Sequence, residues 1–583
     1  MVARVINWTK VYFFDKQKYI NWSLFLTLSL ISIYFILNSY GWNDEGYYPF
    51  AGKLITLKKL PYKDFLFHHG YLSILIQTLS KSLPFSSDMI NSRVISTLLF
   101  LSTIIAAFLK EKNKSYVNCL LFLICANAMA VFSSLSYLTS ASIVSTFSCC
   151  SILIYLFFKE RPAYFFISLS FLIIACRPSF LIVFPFLVLV FLCLSYKSNN
   201  HYITLKNIGY FLLIGTLIIF PYIYIGLKTS FNNFMYPFVA DFLDKFSNRN
   251  FMYQNVLPLY QNNFLTFFLI FFSLFNRVGD FIKSPRSGFS YFDQIYFPVV
   301  LFSLFNLIMM YNNISYFFHV SLLLIFLSIK IYYDKQLFKM HIMKKVKFIF
   351  YINFFLLITM FILKILNLDG SIVSINGILS WGITFIGITL KLSVYIYLFD
   401  KFLNHKKIIY FILIMIISIG LTYMPGKTYI TGLDKSINFG LKNYKMGTLS
   451  YYSYLKNSDR VHIRKILDEN IKSKYVYFTL NMPLSAEIQS NHNTYFLESV
   501  IGIYTFINKT NSLGLGMTID QLKDKVNLID VYILDPNTKL RILDFNNNKI
   551  FKYENENFIK ISYNNSDIYI RKGLLINDKS IYY

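Results

Sequence analysis

Ionisable side chains crowd into one short stretch of the chain. Asp44 and Glu45 stand side by side in N-D-E-G-Y-Y-P-F-A-G, and Asp64, His68 and His69 follow in L-P-Y-K-D-F-L-F-H-H-G. A carboxylate can take the proton of an attacking hydroxyl, and an imidazole can orient such a group. Two adjacent acids repel each other, which raises the pKa of one of them. The stretch follows closely on an apolar run from Trp22 to Leu37. Carboxylates at a membrane surface are costly unless solvated or paired, so their density there points to chemistry rather than to a plain connection. A zinc site from Asp44, His68 and His69 is a competing use of the same groups, although their spacing is not a known ligand pattern.

Four further residues could bind a substrate. Arg177, in A-C-R-P-S-F, lies between two apolar segments. Its planar guanidinium suits a two-point contact with phosphate oxygens; the alternative is an arginine reaching back to the interface from a hairpin turn. Arg93 opens the second long apolar segment and Lys81 precedes it. Both are weaker cations, whose other reading is interface anchoring. His319, in Y-N-N-I-S-Y-F-F-H-V, opens a later apolar segment, where a lone histidine serves structure as readily as function.

The elements that must position these groups are membrane helices. Hydrophobic residues make up 55% of the 583 and charged ones only 15%, at a mean hydropathy of +0.49. Apolar runs recur near 22–39, 90–109, 116–133, 141–158, 163–176, 179–195, 208–226, 263–276, 296–311, 316–330, 348–366, 373–398 and 408–423. That makes about thirteen spans for a hydrocarbon core about 30 Å thick. Residues 163–195 also suit one re-entrant hairpin. Alternating sides from a cytoplasmic amino terminus leaves roughly 23 Lys and Arg in the inside loops and roughly 9 in the outside membrane loops. This bias explains the net charge of +27, because the cations are spread among short loops and form no nucleic-acid-binding patch.

The first apolar run is too long for a typical signal-peptide core and no small-residue cleavage site follows, so it reads as an uncleaved first helix. The six cysteines, Cys119, Cys125, Cys149, Cys150, Cys176 and Cys193, all fall in or beside apolar segments. They form neither a disulfide framework nor a CxxC metal pattern.

The outer loops carry structure of their own. From Tyr47, residues Phe50, Ala51, Leu54 and Ile55 recur at helical spacing, with Lys53, Lys58 and Lys59 off that face. This predicts an amphipathic helix in the interface plane, stopped by Pro61. Tyr71, Leu72, Leu75, Ile76 and Leu79 predict a second apolar face, so interfacial helices occupy residues 40–82. Residues 227–263 are long for a connection and rich in aromatics, as a lid would be. Beyond residue 424 the chain turns polar. Residues 425–583 form an outer α/β domain, with a helix over Ser458–Asn470 and strands over Tyr475–Leu480, Leu528–Leu534, Phe558–Tyr563 and Asp567–Arg571.

The pattern D-E-x-x-Y-x-x-A-G followed by L-P-Y-x-D-F-x-x-H-H-G-x-L resembles the first-loop signature of GT-C fold glycosyltransferases. The closest branch is the one of protein O-mannosyltransferases and lipid A aminoarabinose transferases. The resemblance implies an all-α polytopic membrane protein in which residues 1–424 form the catalytic domain and the carboxy-terminal α/β domain is extracytoplasmic. It implies transfer of a sugar from a polyprenyl phosphate to an extracytoplasmic glycan, lipid or protein in a bacterial plasma membrane. Under it Asp44 is the catalytic base, with Glu45 hydrogen-bonding the acceptor or shaping the pKa of Asp44. Arg177, His69, Asp64, His319 and Arg93 are candidates for donor-phosphate or substrate binding. No metal ligands are assigned, although a divalent cation is used by some relatives. Two other classes fit less well. A glycan polymerase or ligase would place its essential residues in 227–263, and a transporter would carry its carboxylates mid-membrane.

Overall fold

The computed structural model describes residues 19–33, 36, 47–61, 70–83, 88–126, 143–176, 189, 205–228, 253–283, 290–309, 318–365, 375–405, 409–410, 412–414, 457–471, 475–479, 484–485, 488, 495–496, 527–535, 556–564 and 566–576. Thirteen helices precede residue 406 among them. They are α1 (Tyr19–Ile33), α2 (Tyr47–Thr56), α3 (Tyr71–Thr78), α4 (Asp88–Lys110), α5 (Ser115–Ala126), α6 (Ile143–Phe158) and α7 (Pro162–Cys176). There follow α8 (Leu205–Gly226), α9 (Tyr253–Lys283), α10 (Tyr291–Met309), α11 (Phe318–Asp334), α12 (Ile342–Ile365) and α13 (Ile375–His405). Two stretches, Ile90–Lys110 and Leu265–Lys283, are long and apolar enough by themselves to cross a membrane. The surface supports the same setting for others. Leu213, Leu217 and Phe220 of α8 and Ile386, Leu390 and Val394 of α13 form exposed apolar stripes at helical spacing. Stripes of that kind are costly in water and favourable against lipid.

At the centre α11 packs against α5, α6, α9 and α10, while α6 also meets α4 and α7. The bundle has two distinguishable ends. Along α4, Arg93 and Lys110 are about 25 Å apart by helix rise alone. At the Lys110 end, Glu111 pairs with Lys159 and Lys330, Asp400 with Lys345, and Asp280 with Lys335. All of these cations belong to loops or helix ends that alternation assigns to one side. The structure therefore gathers what the charge pattern grouped.

The first-loop helices depart from expectation in two ways. Lys53 is not off the buried face: it is 3% exposed, and α2 is buried continuously from Tyr48 to Leu54 because it is packed against both α3 and α4. Nor does Pro61 stop the helix. Main-chain bonds from Lys58 to Ile55 (2.8 Å) and from Lys59 to Leu54 (3.0 Å) close it, with Lys58 left-handed at φ 63°. In α3 and the turn after it the expected apolar face is split. Leu75 and Leu79 are exposed, while Tyr71, Ser73, Ile74 and Gln77 are buried. Exposed leucines suit a helix that meets lipid.

Two segments are longer than their apolar runs. Helix α9 begins at Tyr253, so the last part of the expected lid is helix; residues 229–252 lie outside the described ones. Helix α13 continues to His405.

The carboxy-terminal part contains α14 (Asn457–Asn470) and a five-stranded sheet in the order β2-β1-β3-β5-β4. Its strands are β1 (Val476–Phe478), β2 (Tyr495–Phe496), β3 (Val531–Leu534), β4 (Phe558–Tyr563) and β5 (Ser566–Arg571). Strand β1 runs parallel to β2 and β3, whereas β5 pairs antiparallel with β3 and β4. Helix α14 buries Ile463, Ile466 and Leu467, the face expected from its sequence. Four of the five strands fall where they were expected; the two-residue β2 was not foreseen.

Candidate active site

The site region is the end of the bundle where the first loop leaves α1 and returns to α4. Asp44, Glu45, Asp64, His68, His69 and Arg177 lie outside the described residues, so the site is defined by the elements that flank them. Helices α2 and α3 pack on each other, and both meet α4. A side chain at Gly52 would approach the main chain of Gln77 to 3.0 Å, so this glycine allows the two helices to sit backbone to backbone.

Helix α3 is in turn joined to the end of α7. The Gly70 amide donates to the Cys176 carbonyl at 2.9 Å. The Tyr71 ring stands edge-on to Tyr222 of α8, with centroids 5.0 Å apart, and the Tyr222 hydroxyl donates to the Ile174 carbonyl at 2.8 Å. Burial, and secondarily the Cys176 thiol, pushes the Tyr71 phenol up to about 12, so this tyrosine stays protonated. Two elements, α3 and α8, thus converge on the last turn of α7, immediately before Arg177 in the chain.

Arg93 lies in the second turn of α4 and is 1% exposed. Its Nη1 lies 3.5 Å from the Ile36 carbonyl, a long contact to the end of the first apolar run that leads to Asp44. Its described contact is with the scaffold. His319 is the second residue of α11. That helix runs from His319 toward Lys330 and its partner Glu111, so His319 belongs to the end opposite the ion pairs, the end of the first loop. Among the described residues no group of three His, Cys, Asp or Glu could hold a metal ion.

Sequence reading assigned no role to Gly52 or Gly70 beyond their place in the first-loop pattern, and it set Lys53 on the wrong face. The glycines stood inside the first-loop pattern, which was the signal available. Lys53 gave the contrary signal, since a lysine beside Lys58 and Lys59 reads as solvated.

Neither protein-family models nor curated proteins provide a match to this sequence. Solved structures do. ArnT from Cupriavidus metallidurans bound to undecaprenyl phosphate superposes with a TM-score of 0.53 at 10% identity, over 94% of this chain and 97% of that one. The same protein in the apo state gives 0.52 at the same identity and coverage. At such identity the likeness is one of fold, and it extends through helices and carboxy-terminal sheet alike. The GT-C resemblance carried by Asp44 to Gly70 is borne out at that level: this chain shares the fold of ArnT.

Proposed function

We propose that the chain is an integral-membrane glycosyltransferase that moves a sugar from a polyprenyl phosphate to an acceptor outside the cytoplasm. The observation that carries this reading is the fold likeness over 94% of the chain to a protein bound to undecaprenyl phosphate. The first-loop acids add the chemistry the reaction needs, in the loop that also carries α2 and α3.

In the proposed reaction the acceptor hydroxyl approaches Asp44, whose carboxylate takes the proton as the oxygen attacks the anomeric carbon. The bond from that carbon to the phosphate oxygen breaks, and its electron pair leaves on the polyprenyl phosphate. A phosphate is a good leaving group, so no strong general acid is required. One displacement inverts the anomeric centre. Glu45 orients the acceptor or shapes the ionisation of Asp44 through like-charge repulsion. Arg177 and His69 hold the phosphate, with Asp64 and His319 at the same end. Arg93 serves here by supporting the segment that carries Asp44.

Asp44→Asn keeps size and hydrogen bonding but accepts no proton. Sugar transfer should fall by about 100-fold or more, with protein yield and lipid-phosphate binding unchanged. Wild-type transfer by this variant rules the mechanism out, and loss of activity confined to substitutions in 227–263 turns the reading to a polymerase or ligase.

The orientation has its own test. We place the amino terminus in the cytoplasm and residues 425–583 outside, on the excess of Lys and Arg in alternate loops. A Ser458→Cys variant should react with an impermeant thiol reagent in intact cells. Protection until lysis reverses the orientation and removes the outward-facing site.

A further inference from the structure

We propose that the corner where the α4–α5 loop meets the α6–α7 turn binds the headgroup of one anionic phospholipid, with Lys110, Lys112 and Arg161 around its phosphodiester. The ion pair of Glu111 and Lys159, at 3.3 Å, joins the two segments. Lys110 and Lys112 flank Glu111, and Arg161 stands two residues after Lys159. A second contact holds the same corner, since the Lys110 ammonium lies 3.5 Å from the centre of the Phe157 ring. The turn itself is tight: the Arg161 amide donates to the Phe158 carbonyl at 2.8 Å.

The cations of this corner divide into those already used and those left over. Lys159 and Lys330 share Glu111, and Lys114 donates to the Leu109 carbonyl at 3.0 Å, at the carboxy-terminal end of α4. Lys112 and Arg161 are exposed, and among the described residues neither has a carboxylate partner. Lys110 is exposed and faces only a ring. The opposing acid is Glu160, which is itself exposed, so water and salt screen its repulsion. The balance favours an anion.

Placement decides which anion. Lys110 ends the membrane-length stretch Ile90–Lys110, so the corner falls at headgroup depth. Beside it Leu109 and Phe157 are 61% and 65% exposed. Apolar surface next to fixed cations suits a molecule in which a charged phosphate is joined to acyl chains, whereas free phosphate would leave the leucine and the ring uncovered. The corner lies at the end of α4 opposite Arg93, away from the first loop, and its argument does not depend on the glycosyltransferase reading.

The test is titration of the purified protein, in a neutral detergent, with phosphatidylglycerol, with bound lipid counted by native mass spectrometry. Lys112→Gln and Arg161→Gln should each weaken the tightest binding by about fivefold, the scale of one cation at a membrane surface, and together by about 25-fold. Both side chains are exposed, so the folded yield should hold. Lys344→Gln with Lys347→Gln is the control: it removes two exposed cations of α12 at the same end of the bundle and should leave the affinity unchanged. Unchanged phosphatidylglycerol binding in the Lys112 and Arg161 double variant overturns the site. An equal loss in the control pair also overturns it, because general attraction to positive charge would then suffice. Equally tight phosphatidylcholine binding, or displacement of the lipid by inorganic phosphate at the same concentration, overturns the choice of an anionic lipid.

Discussion

At one end of the bundle Glu111 lies between Lys159 at 3.3 Å and Lys330 at 3.0 Å; at the other, Gly70 meets Cys176 through main-chain atoms. The first device consumes charges. Glu111 is 3% exposed and Lys330 lies over the rings of Tyr116 and Tyr155, so their charges compensate each other away from water. The second consumes no side chain at all. An end built on main-chain contacts can keep its ionisable groups for a substrate, whereas an end built on buried pairs cannot spend them twice.

The largest effect that would break the comparison is on stability at the charged end. Glu111→Gln leaves Lys330 buried beside Lys159 without their carboxylate. Breaking a buried pair in this way costs about 3–5 kcal/mol, because the remaining charge is uncompensated. The unfolding midpoint in detergent should fall sharply, while turnover per folded molecule stays native. Asp44→Asn should give the reverse, a native midpoint and turnover reduced about 100-fold. If Glu111→Gln slows the molecules that remain folded, the two ends are not separable and the division fails.

What could be read from sequence divides along similar lines. The span at 90–109 emerged as α4 because an apolar run of membrane length has few alternatives to a helix. The hairpin of β4 and β5 was legible in Phe558–Tyr563 and Asp567–Arg571, where strand residues flank an Asn-Asn pair. Helix α9 was cut short because hydropathy sees composition: Tyr253 to Asn262 is polar, yet it continues the helix. In α3 the periodicity grouped Tyr71 with Leu75 and Leu79 on one apolar face, whereas Tyr71 is buried and the two leucines are exposed. The first-loop pattern led to the right fold. The use of its glycines was illegible, since a side chain at Gly70 would clash with the main chain of Ala175 and Cys176, more than a hundred residues away. Local spacing carries no record of such a contact.

The smallest expected effect sharpens the comparison at the first-loop end. Lys58 closes α2 in the left-handed region, φ 63°, where a Cβ crowds the following carbonyl at a cost of roughly 1 kcal/mol. Its own side chain is exposed, so the position is held by the main-chain bonds from Lys58 and Lys59 to Ile55 and Leu54. Lys58→Gly relieves the crowding without touching those bonds and should stabilise by about 0.5–1 kcal/mol, read as a rise in the detergent unfolding midpoint. Glycine also gains freedom in the unfolded chain, which offsets part of the relief and sets the upper limit. Lys58→Ala removes the same charge but keeps the Cβ, so it should give no such rise. Equal stabilisation by alanine and glycine would mean that charge, and not backbone conformation, governs this turn, and the backbone account of the first-loop end would lose one of its supports.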